Sequence, residues 1–150
     1  MTLKYHEILV AIDGSKAAEQ AFKKSVAIAA RNNASLNLVS IIDTSFGSLE
    51  AYGREFADKA SVSAHELLEQ YKKEAEDGGV HNVNIVVELG SAKTKIPGEL
   101  AKRLHADLIV CGATGLSAAE RIFLGSVSER IVRTAKVDVL VVRFEDAISE

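Results

Sequence analysis

The sequence has a single cysteine, Cys111, so no intrachain disulfide can form and a reducing compartment is expected. It also lacks an excess of positive charge: 18 Lys and Arg against 21 Asp and Glu give a formal net charge of −3. That balance argues against a nucleic-acid partner held by a basic face. No apolar run approaches the roughly 18 residues of a membrane-spanning helix, and the N-terminal residues run into a strand-like segment without a signal-peptide pattern. No membrane partner and a cytoplasmic location are therefore expected.

Several motifs are missing as well. After the first apolar run there is only Asp13-Gly14-Ser15, where a dinucleotide fingerprint needs G-x-G-x-x-G. None of the ten glycines precedes a lysine, which excludes a P-loop. Neither H-E-x-x-H nor C-x-x-C occurs, and the four histidines (His6, His65, His81, His105) are scattered, so no metal-ligand cluster is assigned.

What is present reads as one ordinary globular domain, residues 1–150, with 47% hydrophobic and 26% charged residues. A chain of this length buries about 70% of its unfolded surface and needs no staples. Apolar runs predict strands at Glu7 to Ile12, Leu36 to Ile42, Val83 to Leu89, Asp107 to Cys111 and Asp138 to Arg143. Between them lies helical spacing. Ser15 caps a helix with Ala18, Ala21, Phe22, Ser25 and Ala29 on one face, ended by Arg31-Asn32-Asn33. Residues 44–53 read as a loop, followed by a helix with Phe56, Ala60, Ala64, Leu67, Tyr71 and Ala75 on its apolar face. A third helix runs to about His105, but Pro97-Gly98 inside its pattern makes it start near Lys95 or distorts it there. The last helix carries Val127, Ile131 and Ala135.

Strands alternating with helices predict an α/β fold: an open five-stranded parallel sheet, order 3-2-1-4-5, with helices on both faces. Ligands of such sheets collect beyond the carboxyl ends of the strands where the order reverses, here between strands one and four. The loops there are Asp13-Gly14-Ser15 and the segment from Gly112 to Ser128. That segment places glycines at a strand end, then a long loop, then Gly125-Ser126-Val127-Ser128 opening a helix. Glycines let backbone approach an anion, and the first N–H groups of a helix carry partial positive charge. A capping box, Ser126 to Glu129, explains the same residues without a ligand. The loop's length favours function, since most such connections run about 2–6 residues. Asp13 with Ser15 could likewise be a helix cap, Arg121 a solvated surface cation, and Phe123 and Leu124 anchors of the loop. Cys111 reads as a small core residue.

The pattern Gly112-x2-Gly115-x9-Gly125-Ser126 resembles the nucleotide-binding signature of the universal stress protein family, of the kind that binds ATP. The resemblance extends over nearly the whole chain, from Ile8 to Ser15, through Ile41 to Asp43 and Gly90, to Asp107 to Gly112. It implies a Rossmann-like, adenine nucleotide alpha hydrolase-like fold. It also implies an adenine nucleotide as partner (ATP, or ADP or AMP), with Mg²⁺ or Mn²⁺ accompanying it. Carried over, Asp13 would contact the ribose or the metal, and the backbone of Ile41 would pair with adenine. Gly112, Gly115, Gly125, Ser126, Val127 and Ser128 would wrap the ribose and phosphates, with Ala11, Ser15 and Arg121 completing the set. Ala11 stands where the family often has proline, and Thr114 replaces a commoner basic or polar residue. The family pairs its fifth strand with a second copy, so a homodimer through residues 138–143 is expected.

Three functions remain open from the sequence: a nucleotide-dependent signalling module, a slow ATP hydrolase, and a dimeric stress protein that binds no nucleotide. Phosphoryl transfer needs cations on the moving charge and a group to position the attack. Between Gly112 and Ser128 there is one arginine, one glutamate and no lysine or histidine, so at most weak hydrolysis is expected.

Overall fold

Ile8, Leu9 and Val10 are all fully buried, because the strand that carries them has an apolar layer on each face. The computed structural model describes residues 3–43, 51–114 and 124–144. The elements are β1 (Glu7–Ala11), α1 (Lys16–Asn32), β2 (Ser35–Asp43), α2 (Ala51–Asp77) and β3 (Val83–Gly90). They continue with α3 (Ala92–Thr94), a π-helical turn (Lys95–Leu100), α4 (Ala101–Arg103), β4 (Leu108–Gly112), α5 (Ser126–Thr134) and β5 (Asp138–Val142). All strand pairs are parallel and the order is β3-β2-β1-β4-β5, as the sequence predicts.

Period-two alternation sorts the strand side chains into two layers. Ile8, Val10, Leu36, Leu38, Leu108 and Val110 pack with Phe22 of α1 and Leu68 of α2. Leu9, Val39, Ile109 and Cys111 pack on the opposite face with Ile96, Leu100 and Ile131. Helices that follow β1 and β4 thus lie on opposite faces, which opens the crevice between those two strands.

The helix α1 buries Ala17, Ala18, Ala21, Phe22, Ser25 and Ala29, the predicted face, and ends at Asn33 in the left-handed conformation with φ 56°. Phe22 stacks on Tyr71 of α2 with ring centroids 4.2 Å apart, a contact that adds about 0.5–1.5 kcal/mol to their burial.

Two expectations need correction, and a third had two alternatives between which the structure decides. Residues 51–53 belong to α2 rather than to a loop, while 44–50 lie outside the described residues. Phe56 is 64% exposed; Ala57, Leu68 and Ala75 supply the buried stripe, so the predicted face is out of phase at its start. For the third helix the distortion holds rather than a start near Lys95: the pattern begins at Ala92 and accommodates Pro97 by widening into the π-helical turn. Pro97 has no N–H and its ring crowds the preceding turn; a wider turn relieves both problems. Lys95 ties this turn to β3, donating to Glu88 Oε1 at 2.9 Å, and Arg103 of α4 pairs with the other oxygen of Glu88. The Lys95 hydrogen bond, against an opposing desolvation, holds the Glu88 carboxyl below its usual range, with Arg103 adding to the effect.

The outer strands are only half covered. In β3, Leu89 is 45% exposed, and Val139, Leu140 and Val141 of β5 are half-buried. Each outer strand presents one row of N–H and C=O groups with no neighbouring strand among the described residues.

Candidate functional site

At the carboxyl end of β1 the chain turns sharply through Asp13-Gly14-Ser15, with Gly14 at φ +85°, a conformation that favours glycine. The Ser15 hydroxyl is the N-cap of α1, accepting from the Ala18 N–H at 3.1 Å. Asp13 Oδ1 accepts from the Ser15 N–H at 2.9 Å, which orients the carboxylate. Asp13 is exposed, and its second oxygen has no bond to any described residue. The capping reading therefore holds for Ser15, while Asp13 retains a free carboxylate oxygen at the rim.

Beside this turn, β4 ends at Gly112. A Cβ at Gly112 would stand 2.8 Å from Ala17 C and Ala17 Cβ and 2.9 Å from Ala18 N. The absence of a side chain here lets the first turn of α1 close onto β4, a packing reason for glycine at this position. Cys111, one residue earlier, is buried, and desolvation pushes its thiol up to about 12. It is the inert core residue expected.

Ala113 is a junction. Its N–H donates to Val142 O at 2.7 Å, and its carbonyl accepts from the Gly125 N–H at 2.6 Å. The Ser128 hydroxyl also reaches this carbonyl at 2.8 Å and lies 3.0 Å from Gly125 O. Both ends of the long loop are thereby held against β4, with β5 tied to the same point.

The helix α5 starts from this junction. Its N-cap is Gly125, at φ −67° and ψ 162°, and no side chain caps it. The capping-box reading is therefore corrected: Ser126 is the first helical residue, and the Glu129 N–H bonds Gly125 O at 2.9 Å. The N–H groups of Ser126, Val127 and Ser128 precede the first intrahelical bond and meet no acceptor among the described residues. Three donors with the positive end of a helix dipole suit an anion. Gly125 has an ordinary extended backbone, so positive φ is not the reason for glycine at that position. The Ser126 side chain is exposed, whereas Ser128 is buried and its hydroxyl is engaged as described.

The remaining predicted positions fall as follows. Ala11 ends β1 on the α5 side of the sheet, and Ile41 lies on the same face two residues beyond Val39, the partner of Ala11. Both are half-buried near the carboxyl edge. Gly115, Arg121 and Phe123 lie outside the described residues. Among the described residues no three His, Cys, Asp or Glu converge on a metal position. No described helix is long and apolar enough to cross a membrane. The residue that sequence reasoning missed is Ala113; it acts through backbone atoms alone, and nothing in its identity signals the junction.

A doubly wound sheet with an uncapped helix terminus at its switch point defines the architectural class. The comparisons place the chain more narrowly. The universal stress protein family profile matches residues 4–143. A Staphylococcus haemolyticus protein named as a universal stress protein is 50% identical over 96% of this chain and 88% of its own length. Universal stress protein UspA from Lactobacillus plantarum superposes with a TM-score of 0.89 at 31% identity, covering 95% of this chain and 100% of its own. A universal stress protein solved in complex with cAMP is 26% identical, with a TM-score of 0.72, covering 93% and 98%. This chain belongs to the universal stress protein family.

Proposed function

We propose that this family member is an adenine-nucleotide-binding regulatory protein of the stress response, a single domain that acts as a homodimer in the cytoplasm. The observation that carries the reading is the start of α5. Its first three N–H groups meet no acceptor among the described residues, and α5 follows β4, whose neighbour β1 leads into the turn that carries Asp13. A phosphate matches those donors, and the free oxygen of Asp13 suits a ribose hydroxyl or a Mg²⁺ or Mn²⁺ ion that the phosphates complete. The half-buried Ala11 and Ile41, on one face of the sheet near the carboxyl ends of β1 and β2, suit the base. The cAMP complex of the related universal stress protein supports an adenine ligand, and ATP is the form proposed here.

Homodimerisation is proposed through β5, whose half-buried Val139, Leu140 and Val141 border an edge with no neighbouring strand among the described residues. The single buried cysteine fits a reducing compartment.

One experiment tests the reading. Freshly purified protein is denatured and any released small molecule identified, and the native protein is then incubated with ATP and assayed for product. Released adenine nucleotide with negligible turnover supports the signalling module. Rapid, protein-dependent hydrolysis supports an enzyme, and neither release nor binding supports a stress protein without nucleotide.

A further inference from the structure

We propose that the Ser128 hydroxyl positions the anion site at the start of α5 and is not one of its ligands; this rests on the nucleotide reading above. Ser128 is only 3% exposed, and its hydroxyl donates to Ala113 O at 2.8 Å, with Gly125 O at 3.0 Å. A single hydroxyl proton shared between two carbonyls is committed to protein rather than held out to a phosphate. Those carbonyls belong to the last residue before the loop and the residue that caps α5. The hydroxyl therefore sets the helix terminus relative to β4, reinforcing the 2.6 Å bond from Gly125 N–H to Ala113 O. Ala113 N–H donates to Val142 O, so the same junction registers the helix against β5. The backbone N–H of Ser128 remains among the three donors; only its side chain changes role. Ser126, two residues earlier and exposed, is the hydroxyl that faces outward.

Removing the Ser128 hydroxyl leaves neither carbonyl orphaned. Ala113 O keeps the Gly125 N–H, and Gly125 O keeps the Glu129 N–H. Ser128→Ala is thus expected to fold and to loosen the junction locally. Three readouts on the full chain separate positioning from contact. Amide exchange of ligand-free Ser128→Ala protein should quicken at Ala113 and Gly125 by roughly threefold to tenfold, the loss of one hydrogen bond, while Ile8 to Val10 stay protected. AMP affinity by calorimetry should fall by a similar factor, and Ser128→Thr, which keeps the hydroxyl, should restore it. Ser126→Ala should lower AMP affinity with exchange at Ala113 and Gly125 unchanged. A loss of affinity in Ser128→Ala without faster exchange makes the hydroxyl a direct ligand and overturns the proposal. So does unchanged affinity beside faster exchange, or a failure of Ser128→Thr to restore binding. Absence of AMP, ADP and ATP binding by the unaltered protein overturns the nucleotide reading instead, a failure distinct from that of the junction, which shows in the exchange of ligand-free protein.

Discussion

A methyl group added at Gly112 tests whether the first glycine of the motif serves the sheet or the ligand. The new Cβ meets Ala17 C at 2.8 Å, Ala17 Cβ at 2.8 Å and Ala18 N at 2.9 Å. Two of those three atoms are helix backbone, fixed by the Ser15 cap on the Ala18 N–H, so relief requires α1 to move away from β4. Overpacking of this kind costs about 1–3 kcal/mol. For a domain of this size that is a loss of roughly 2–12 °C in melting temperature. Urea and thermal denaturation followed by circular dichroism read it directly, with Gly98→Ala as control because a Cβ there meets nothing within 4 Å. Ala17→Gly removes one of the clashing atoms but not the backbone ones, so the double variant should recover only part of the loss. The cycle then reports a coupling between the two sites. If Gly112→Ala melts with the wild type, the close approach of α1 to β4 is not what requires glycine, and the reasoning is wrong.

Three further outcomes are expected. Asp13→Ala should weaken nucleotide affinity by about 1.5–3 kcal/mol with little change in melting temperature, since the carboxylate is exposed; unchanged affinity by calorimetry, with and without Mg²⁺, would leave Asp13 only its turn-forming role. Val141→Pro should break the dimer without disrupting β5: Val142 O faces β4 by accepting from Ala113, so by alternation the Val141 N–H faces the open edge, and light scattering of either unaltered dimer or wild-type monomer at tens of micromolar refutes this. Burial holds the Cys111 thiol protonated to about pH 12 while the unfolded thiol titrates near 9.0, so the folded state binds the extra proton between those values. That stabilisation is complete below pH 9 and declines as pH rises toward 12; Cys111→Ala should flatten the decline, and an equal slope in the variant contradicts the assignment.

The strand order was legible because each buried strand is a continuous apolar run and each connection a helical pattern, which leaves few parallel topologies. The face of α1 was legible for the same reason. Local rules failed where tertiary contacts decided. Phe56 fits the helical spacing but lies one position off the stripe set by Ala57 and Leu68. Pro97 read as a helix start or a distortion, and packing of Ile96, Pro97 and Leu100 chose the distortion. Ser126 and Glu129 have capping-box spacing, yet the bond from Gly125 N–H to Ala113 O, between residues distant in sequence, sets Gly125 as the cap. The role of Gly112 was hidden likewise, because Ala17 is remote in the chain. Asp13 and Ser15 were correctly located at the switch point, but which of them caps α1 depended on side-chain geometry.

The most direct test of the central claim is calorimetric titration of ATP into the unaltered protein and into Gly125→Val. Residue 125 has φ −67° and ψ 162°, which a β-branched side chain tolerates, so the variant should show a native circular dichroism spectrum. Its side chain would stand at the mouth of α5, against the N–H groups assigned to phosphate. The account predicts ATP binding by the unaltered protein and none by folded Gly125→Val. Equal ATP affinity in the two proteins, or no adenine nucleotide bound by the unaltered one at millimolar concentration, would contradict it.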